Sequence, residues 1–422
     1  MIEFKYRPDV DGLRAVAVCL VLLFHAGLGF PGGYVGVDVF FVISGFLITG
    51  LIVKEQAANT FSLAEFWSRR IKRIIPAATL VGVVCLAVGA CILLPGDLVA
   101  LSKSLVAQQL MLSNLYFWNS TGYFDGASET MPLLHMWSLA VEEQFYLFFP
   151  FLLIALRRCP QRIALSILLA IGVGSFVLSE WYVQHYPSAA FFLLPMRAWE
   201  LLLGSILVYF AEPRWMRTWS RELTAWSGLA LIVAASVCFG SETRFPGLSA
   251  MLPCLGTFLI IYANSSQPTS LGKLLSNNAM VFIGLISYSL YLWHWPILAF
   301  LRYWVGIELP LGYRLGALVA SFLVALASWR FVETPFRKGF ARVGIAKLAV
   351  GAVCVAFFVV GVSSWVKASK GLPGRLPEHV RRIAAPLTEL TRYQANLPQL
   401  KRAELPRLGM PREQEQAPDA AC

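Results

Sequence analysis

Charged residues are the scarcest class in this chain. Asp, Glu, Lys and Arg make up 14% of its 422 residues, while 57% are apolar. Soluble domains keep roughly a quarter of their residues charged, and disordered chains have low hydrophobicity. The composition therefore excludes both classes. The net charge of +11 does not indicate nucleic-acid binding either, because no folded soluble module before residue 366 carries a basic face.

Cysteine spacings typical of disulfide scaffolds or metal sites are absent from the sequence as well. The eight cysteines form no CxxC motif and no Cys/His spacing of the kind that binds zinc, and six of them fall in apolar runs. We therefore expect neither a disulfide scaffold nor a metal site, and we interpret these cysteines as small core side chains.

Long apolar runs dominate what is present. Eleven of them approach the roughly 20 residues that cross a bilayer as a helix. They predict an all-α, polytopic membrane bundle of about ten core helices, plus an eleventh that leads to a tail. The predicted divisions are 1–338 for the ten-span domain, 339–366 for the eleventh helix and 367–422 for an extramembrane tail. The runs lie at 12–30, 35–53, 75–95, 137–156, 163–181, 191–211, 224–239, 249–263, 279–301, 311–331 and 345–366.

The distribution of basic residues predicts the orientation. With the N-terminus in the cytoplasm, eighteen Lys and Arg residues fall in inner segments, and the outer loops clearly hold only Lys103 and Arg244. The positive-inside rule selects this arrangement. The odd number of spans then places the tail outside. The polar-interrupted stretch 98–118 would invert every later loop if it crossed, so we expect it to be re-entrant or to lie on the outer surface.

Two titratable residues in the first span are candidate functional groups, because charges inside membranes are costly. Arg14 and His25 are eleven residues apart, which separates them by about 16–17 Å along a helix but by only about 20° around it. Arg suits a phosphate or carboxylate, and His suits proton transfer near neutral pH. The alternatives are a snorkelling arginine and a hydrogen-bonded packing histidine.

Buried carboxylates form the next group of candidates. Asp38, across a short loop from His25, is placed either to orient the imidazole or to pair with a buried base. Glu142 and Glu143 point about 100° apart, so at most one should line a given cavity. Arg197 and Glu200 have the spacing of an intrahelical ion pair, for which a structural role is the simpler interpretation.

A basic cluster precedes the third span. Arg69, Arg70 and Arg73 lie within five positions, and Arg70 and Arg73 share a helix face, as a polyphosphate clamp requires. The alternative is a topogenic cluster that binds anionic lipid.

These residues lie in motifs that resemble the bacterial membrane acyltransferase family 3. The match runs in order from about residue 6 to residue 338. Its motifs are DGLR at 11–14, FH at 24–25, GVDVFFVISGFLI at 36–48, RRIKRIIP at 69–76, WSLAVEEQFY at 137–146, YSLYLWHWP at 288–296 and FVETPFR at 331–337. The combination of motifs, rather than any single one, carries the resemblance.

The resemblance implies O-acylation of envelope carbohydrates, with acetyl-CoA as the cytoplasmic donor. The family's Arg-x10-His motif falls on Arg14 and His25, and its Arg-x-x-Arg motif falls on Arg70 and Arg73. It further implies a bacterial inner-membrane protein whose acceptor is a polysaccharide such as lipopolysaccharide O-antigen, or a lipid-linked glycan. The eleventh span resembles the subgroup that carries a periplasmic SGNH domain. No Gly-Asp-Ser block follows here, so we expect no SGNH chemistry from these residues.

The residues and the resemblance together predict a mechanism. Arg14, Arg69, Arg70 and Arg73 bind acetyl-CoA, and His25 acts as general base or transient acyl carrier. Asp38 or Glu142 fixes the tautomer of His25, Glu143 belongs to the same acidic pair, and Ser44, Trp137 and His294 line the pocket. Membrane lipids are the remaining expected partners. Two other classes stay open: a carrier or flippase for a lipid-linked substrate, and an idle membrane anchor for the tail.

Overall fold

The computed structural model describes residues 6–120, 126–210, 216–339, 345–378 and 381. Within these ranges every regular element is helical, which confirms the all-α prediction. The helices are α1 Pro8–His25, α2 Gly36–Ala57, α3 Leu63–Ile92, α4 Pro95–Gln109, α5 Ser113–Ser120, α6 Met136–Leu156, α7 Gln161–His185, α8 Pro187–Phe192, α9 Leu194–Leu207, α10 Thr218–Cys238, α11 Gly247–Ala263, α12 Ser270–Leu275, α13 Asn278–Val305, α14 Leu311–Ser328, α15 Thr334–Gly339 and α16 Ile345–Ala368.

Each of the eleven apolar runs falls on a described helix or, for 191–211, on the joined pair α8 and α9. Within the residues that the structure describes, nine helical stretches are long and apolar enough to cross a membrane, and Pro187–Leu207, which joins α8 to α9, counts as one of them. The other two runs correspond to α1 and to α11, which has 17 residues. α1 differs from those nine stretches in its charge, because its 18 residues include Asp9, Asp11 and Arg14. The protein is a multi-pass membrane protein.

The polar-interrupted stretch at 98–118 forms two short helices. α4 has 15 residues and α5 has 8, and the chain breaks between them around Met111, whose φ is +58°. Neither reaches the roughly 20 residues that a crossing needs. Leu98, Leu101 and Leu105 of α4 are buried. This agrees with the expectation that the stretch does not cross, and the side on which it lies remains a prediction.

Glycines bring α2 and α9 into backbone contact. A Cβ atom on Gly45 would lie 1.8 Å from the Leu201 carbonyl oxygen, and one on Gly204 would lie 1.9 Å from the Val42 carbonyl oxygen. Small residues allow membrane helices to pack this closely. Asp38 precedes Gly45 by seven residues, and Arg197 precedes Gly204 by seven. Two turns from the glycine contact, the same faces therefore bring Asp38 and Arg197 together.

The two ends of the bundle are distinguished by contacts along α1, and we call them the Pro8 end and the His25 end. Gly284 of α13 packs on Asp11 near the Pro8 end. Arg302 of α13 donates to the His25 carbonyl oxygen at the other end. The two helices are therefore parallel. At the His25 end, Tyr303 also accepts from the Leu94 N–H, just after α3.

Candidate functional site

Two neighbouring cavities form around α2. The larger contains about 810 Å³ of empty space and the smaller about 420 Å³, part of it open to solvent. Val37 and Tyr291 line both, so the cavities meet at these two side chains. The larger cavity draws its polar lining from five helices: Arg14, Ser44, Arg70, Arg73, Ser138, Glu142, Tyr146, Ser287, Tyr288 and Tyr291.

His25 lines the smaller cavity at the end of α1, and hydrogen bonds fix its tautomer. Its Nδ1 lies 3.0 Å from Nε2 of His294. Nδ1 of His294 faces the carbonyl oxygens of Tyr291 at 2.7 Å and Leu290 at 3.2 Å, so this nitrogen carries the proton. In neutral His294, Nε2 is then an acceptor, and Nδ1 of His25 must donate. The lone pair of neutral His25 is left on Nε2, on the cavity side of the pair.

The backbone and ring of His25 are held as well. Arg302 donates from Nη2 to the His25 carbonyl oxygen at 2.6 Å, which satisfies one of the open carbonyls at the end of α1. Arg302 also pairs with Glu129 at 3.2 Å. Trp295 packs edge-on against the imidazole with ring centroids 4.7 Å apart. His25 therefore has little freedom to change its orientation.

His135 is a third histidine at this site, and the predicted set of site residues omitted it. His135 lies immediately before α6, which begins at Met136, and it lines the smaller cavity whereas Glu142 lines the larger one. Its Nε2 donates to the Leu292 carbonyl oxygen at 3.1 Å, so neutral His135 keeps its lone pair on Nδ1. This buried Nδ1 has no hydrogen-bond partner among the described residues.

The expectation that Asp38 or Glu142 orients His25 is wrong. Asp38 pairs with Nη2 of Arg197 at 3.0 Å, and Glu142 accepts from the Ser44 hydroxyl at 2.7 Å. Asp38 has the other role predicted for it, because it pairs with a buried base, Arg197. The predicted Arg197–Glu200 pair is confirmed at 3.0 Å. The orienting group is His294, 269 residues away in sequence, which local spacing cannot reveal.

Arg14, Arg70 and Arg73 all line the larger cavity. Arg70 and Arg73 share this face, as their spacing predicted. Nε of Arg70 is buried and has no hydrogen-bond partner among the described residues. Arg14 pairs with Asp11 at 3.2 Å. Three guanidinium groups around one cavity suit a ligand with several negative charges.

Arg69 and His294 do not take the places predicted for them. Arg69 does not line the larger cavity and pairs with Glu55 at 2.9 Å. His294 is fully buried behind His25 and lines neither cavity. Both side chains are on the expected helices, but rotation about the helix axis points them away from the open space.

The predicted separation of Glu142 and Glu143 is confirmed, since only Glu142 lines the larger cavity. Tyr146 donates to Glu142 at 3.4 Å, one turn along α6. Glu143 is buried, and its Oε1 has no hydrogen-bond partner among the described residues. Of the two remaining residues predicted to line the pocket, Ser44 lines the larger cavity and Trp137 the smaller.

One group of side chains resembles a cation site in composition. Ligand atoms of Asp38, Glu200 and Cys254 lie within 4.8 Å of one another. Arg197 pairs with both carboxylates at 3.0 Å, so its guanidinium already supplies a positive charge there. A metal ion would be repelled by that charge. The expectation that the chain needs no metal stays a prediction.

The fold and these two cavities define a multi-pass membrane protein with a buried histidine and arginine site. Residues 7–330 match the family described as "Acyltransferase domain", Acyl_transf_3. The chain therefore belongs to this family, as the sequence motifs indicated.

Relatives from Staphylococcus aureus agree with this assignment. The protein named O-acetyltransferase OatA in strain NCTC 8325 is 34% identical over 349 residues, which cover 79% of this chain and 58% of that protein. A protein of strain MSSA476 with a provisional O-acetyltransferase name is 34% identical over 359 residues, which cover 80% of this chain and 58% of its own length. The chain thus spans less than two thirds of these relatives. No solved structure was found to match.

Proposed function

We propose that this chain is a membrane O-acyltransferase that moves an acetyl group from acetyl-CoA to a hydroxyl of a cell-envelope carbohydrate. Lipopolysaccharide O-antigen is the acceptor implied by the motifs. The proposal further places the protein in a bacterial inner membrane, with the N-terminus in the cytoplasm and the tail in the periplasm. Family membership and the names of the relatives support the reaction class.

The observation that carries the proposal is the tautomer of His25. Because Nδ1 donates to His294, the lone pair of Nε2 is available to take a proton from a hydroxyl. The neighbouring cavity supplies arginines for the phosphates of a donor, and the two cavities meet at Val37 and Tyr291. A thioester entering from the larger cavity would meet a hydroxyl beside His25.

The proposed reaction uses His25 first as a base and then as an acid. Nε2 takes the hydroxyl proton while the hydroxyl oxygen bonds to the thioester carbonyl carbon. The C–S bond breaks, the CoA thiolate leaves, and the imidazolium returns the proton to sulfur. The products are the acetyl ester and CoA. Transient acetylation of Nε2 is an alternative course, and it uses the same tautomer.

Binding of the donor is assigned to Arg14, Arg70 and Arg73. Their guanidinium groups remain charged at any physiological pH and match phosphate geometry. Arg69 belongs to the same basic cluster, but we assign it no role in donor binding because it pairs with Glu55. The hydroxyls of Ser44 and Tyr146 both donate to Glu142 and so fix the orientation of its carboxylate.

The test compares His25→Ala with the unaltered chain in detergent, using radiolabelled acetyl-CoA and the cell-envelope glycan fraction. Loss of the base should lower acetyl transfer by about 10²- to 10⁴-fold. His185→Ala is the matched control, because His185 is exposed on α7 and its Nδ1 contacts only the Trp181 carbonyl oxygen within its own helix. His185→Ala should keep the full rate.

The same assay separates the three classes of function. Normal transfer by His25→Ala overturns the assignment of the base. Donor-independent movement of a lipid-linked glycan across vesicles, without CoA release, indicates a carrier. An anchor gives neither CoA release nor movement.

A further inference from the structure

The smaller cavity has mostly aromatic walls. Six of its twelve lining residues are Phe, Tyr or Trp: Tyr34, Trp137, Phe191, Phe245, Tyr291 and Trp295. Their rings are packed against one another; for example, Tyr34 and Phe245 meet edge to face at 4.9 Å. Aromatic faces are rigid apolar surfaces. The C–H face of a sugar ring is likewise flat and apolar, so it stacks on such walls.

Four side chains interrupt these walls with polar atoms that have hydrogen-bonding capacity left over: His25, Asp38, His135 and Arg197. His25 offers the lone pair on Nε2, and His135 offers the lone pair on Nδ1. Arg197 is fully buried, and its Nη1 has no hydrogen-bond partner among the described residues. A buried polar atom without a partner is destabilising unless a ligand or water satisfies it. Oδ2 of Asp38 is a further acceptor without a partner among the described residues, so the cavity presents three acceptors and one donor.

The charges of this cavity differ from those of its neighbour. Arg197 pairs with two carboxylates, Asp38 and Glu200, and its guanidinium lies 5.5 Å from the centroid of the Phe245 ring. The larger cavity instead has three guanidinium groups facing Glu142. The smaller cavity consequently lacks the surplus positive charge that a phosphate-bearing ligand requires. Its lining suits a neutral ligand with several hydroxyl groups.

We propose that the smaller cavity is an acceptor subsite that holds one sugar ring, with His135 and Arg197 as its recognition residues. One hydroxyl donates to Nε2 of His25 and is the one that reacts. A second hydroxyl donates to Nδ1 of His135, and a sugar oxygen accepts from Nη1 of Arg197. The aromatic walls stack on the ring. This inference rests on the proposed function, and it adds the subsite, its ligand class and two residues that the motifs did not assign.

The test replaces His135 by Gln in the full chain. The Gln amide can still donate to the Leu292 carbonyl oxygen, but it lacks an acceptor at the position of Nδ1. Methyl glycosides of common hexoses and amino sugars serve as acceptor probes, with radiolabelled acetyl-CoA as the donor. The KM for the glycoside should rise about tenfold or more, because one buried hydrogen bond is lost. The KM for acetyl-CoA should stay within about twofold.

Arg73→Gln is the matched variant for the other cavity. It should raise the KM for acetyl-CoA and leave the KM for the glycoside unchanged. His185→Gln, outside both cavities, should change neither. A His135→Gln protein whose glycoside KM is unchanged, or whose two KM values rise together, overturns the subsite.

A binding measurement separates this inference from the proposed function. Trp137 and Trp295 line the cavity, so a bound glycoside should change tryptophan fluorescence in a saturable way without any donor. A saturable change that His135→Gln weakens supports the subsite, even when the unaltered chain transfers no acetyl group. In that case it is the proposed function that fails. No saturable change with any glycoside, together with no glycoside-dependent transfer, overturns the subsite.

Discussion

At the scale of single residues, the informative feature is a pair of histidines from distant parts of the chain. The sequence identified His25 and His294 as candidates, but it assigned the orienting role to carboxylates. Carboxylates are the usual partners of a catalytic histidine, and Asp38 is only thirteen residues from His25. In the folded chain Asp38 is held by Arg197, and an imidazole takes its place. Neither contact has a local sequence signal.

Replacement of His294 tests whether this pair fixes the tautomer. His294→Phe removes the acceptor for Nδ1 of His25, so the kcat of acetyl transfer should fall by about 10²-fold while both KM values change little. His294→Gln offers a carbonyl oxygen near the former Nε2 and should restore part of the rate. Nitrogen-15 NMR of the histidine rings reports the tautomer of His25 directly. The unprotonated nitrogen of His25 should change from Nε2 to Nδ1 only in His294→Phe. Equal rates in all three proteins contradict the assignment.

At the scale of helices, hydropathy predicted the elements well because it is a local property. Each of the eleven apolar runs falls on a described helix or, for 191–211, on α8 and α9 together. The sequence also predicted that the stretch 98–118 does not cross as one helix, because polar residues interrupt its apolar residues. The π-helical turn Trp329–Glu333 was not predicted. It places Glu333 within 3.0 Å of the Ser289 hydroxyl on α13. Such turns are rare and occur mostly as single turns within α-helices, so the prior for predicting one is low.

The glycine contact between α2 and α9 gives a prediction at the same scale. Gly45→Ala forces a Cβ atom against the Leu201 carbonyl oxygen, which is backbone and cannot turn aside. We expect α2 and α9 to separate and the protein to lose about 1–3 kcal/mol of stability, with a lower Tm at a fixed scan rate in detergent. Gly174→Ala on α7 is the control, because its Cβ would meet nothing within 4 Å. A Tm for Gly45→Ala as high as that of the control contradicts the close contact.

At the scale of the whole molecule, the contacts place the two termini of the bundle at opposite ends. Arg375 donates to the carbonyl oxygens of Ala90 and Leu93, at the end of α3. The next residue, Leu94, donates to Tyr303, which neighbours Arg302 on the His25 end. The segment after α16 is therefore far from Pro8. An odd number of crossings requires the two ends of the chain to lie on opposite sides. The count of eleven apolar runs in the sequence predicted this arrangement. Most of the tail predicted at 367–422 lies outside the described residues.

The basic residues predict which end of the bundle faces the cytoplasm, and cysteine labelling tests this prediction. In a background without the eight native cysteines, Ala58→Cys reports the Pro8 end, and Glu378→Cys reports the His25 end. Both positions are exposed. A membrane-impermeant maleimide should label Glu378→Cys in cells with a permeabilised outer membrane, and it should label Ala58→Cys only after lysis, because Lys and Arg are retained on the cytoplasmic side. Labelling of both from the same side would mean that α4 and α5 complete an additional crossing. Labelling of Ala58→Cys alone would mean that the bundle has the opposite orientation in the membrane. Acetyl-CoA could then not reach Arg70 and Arg73 from the cytoplasm.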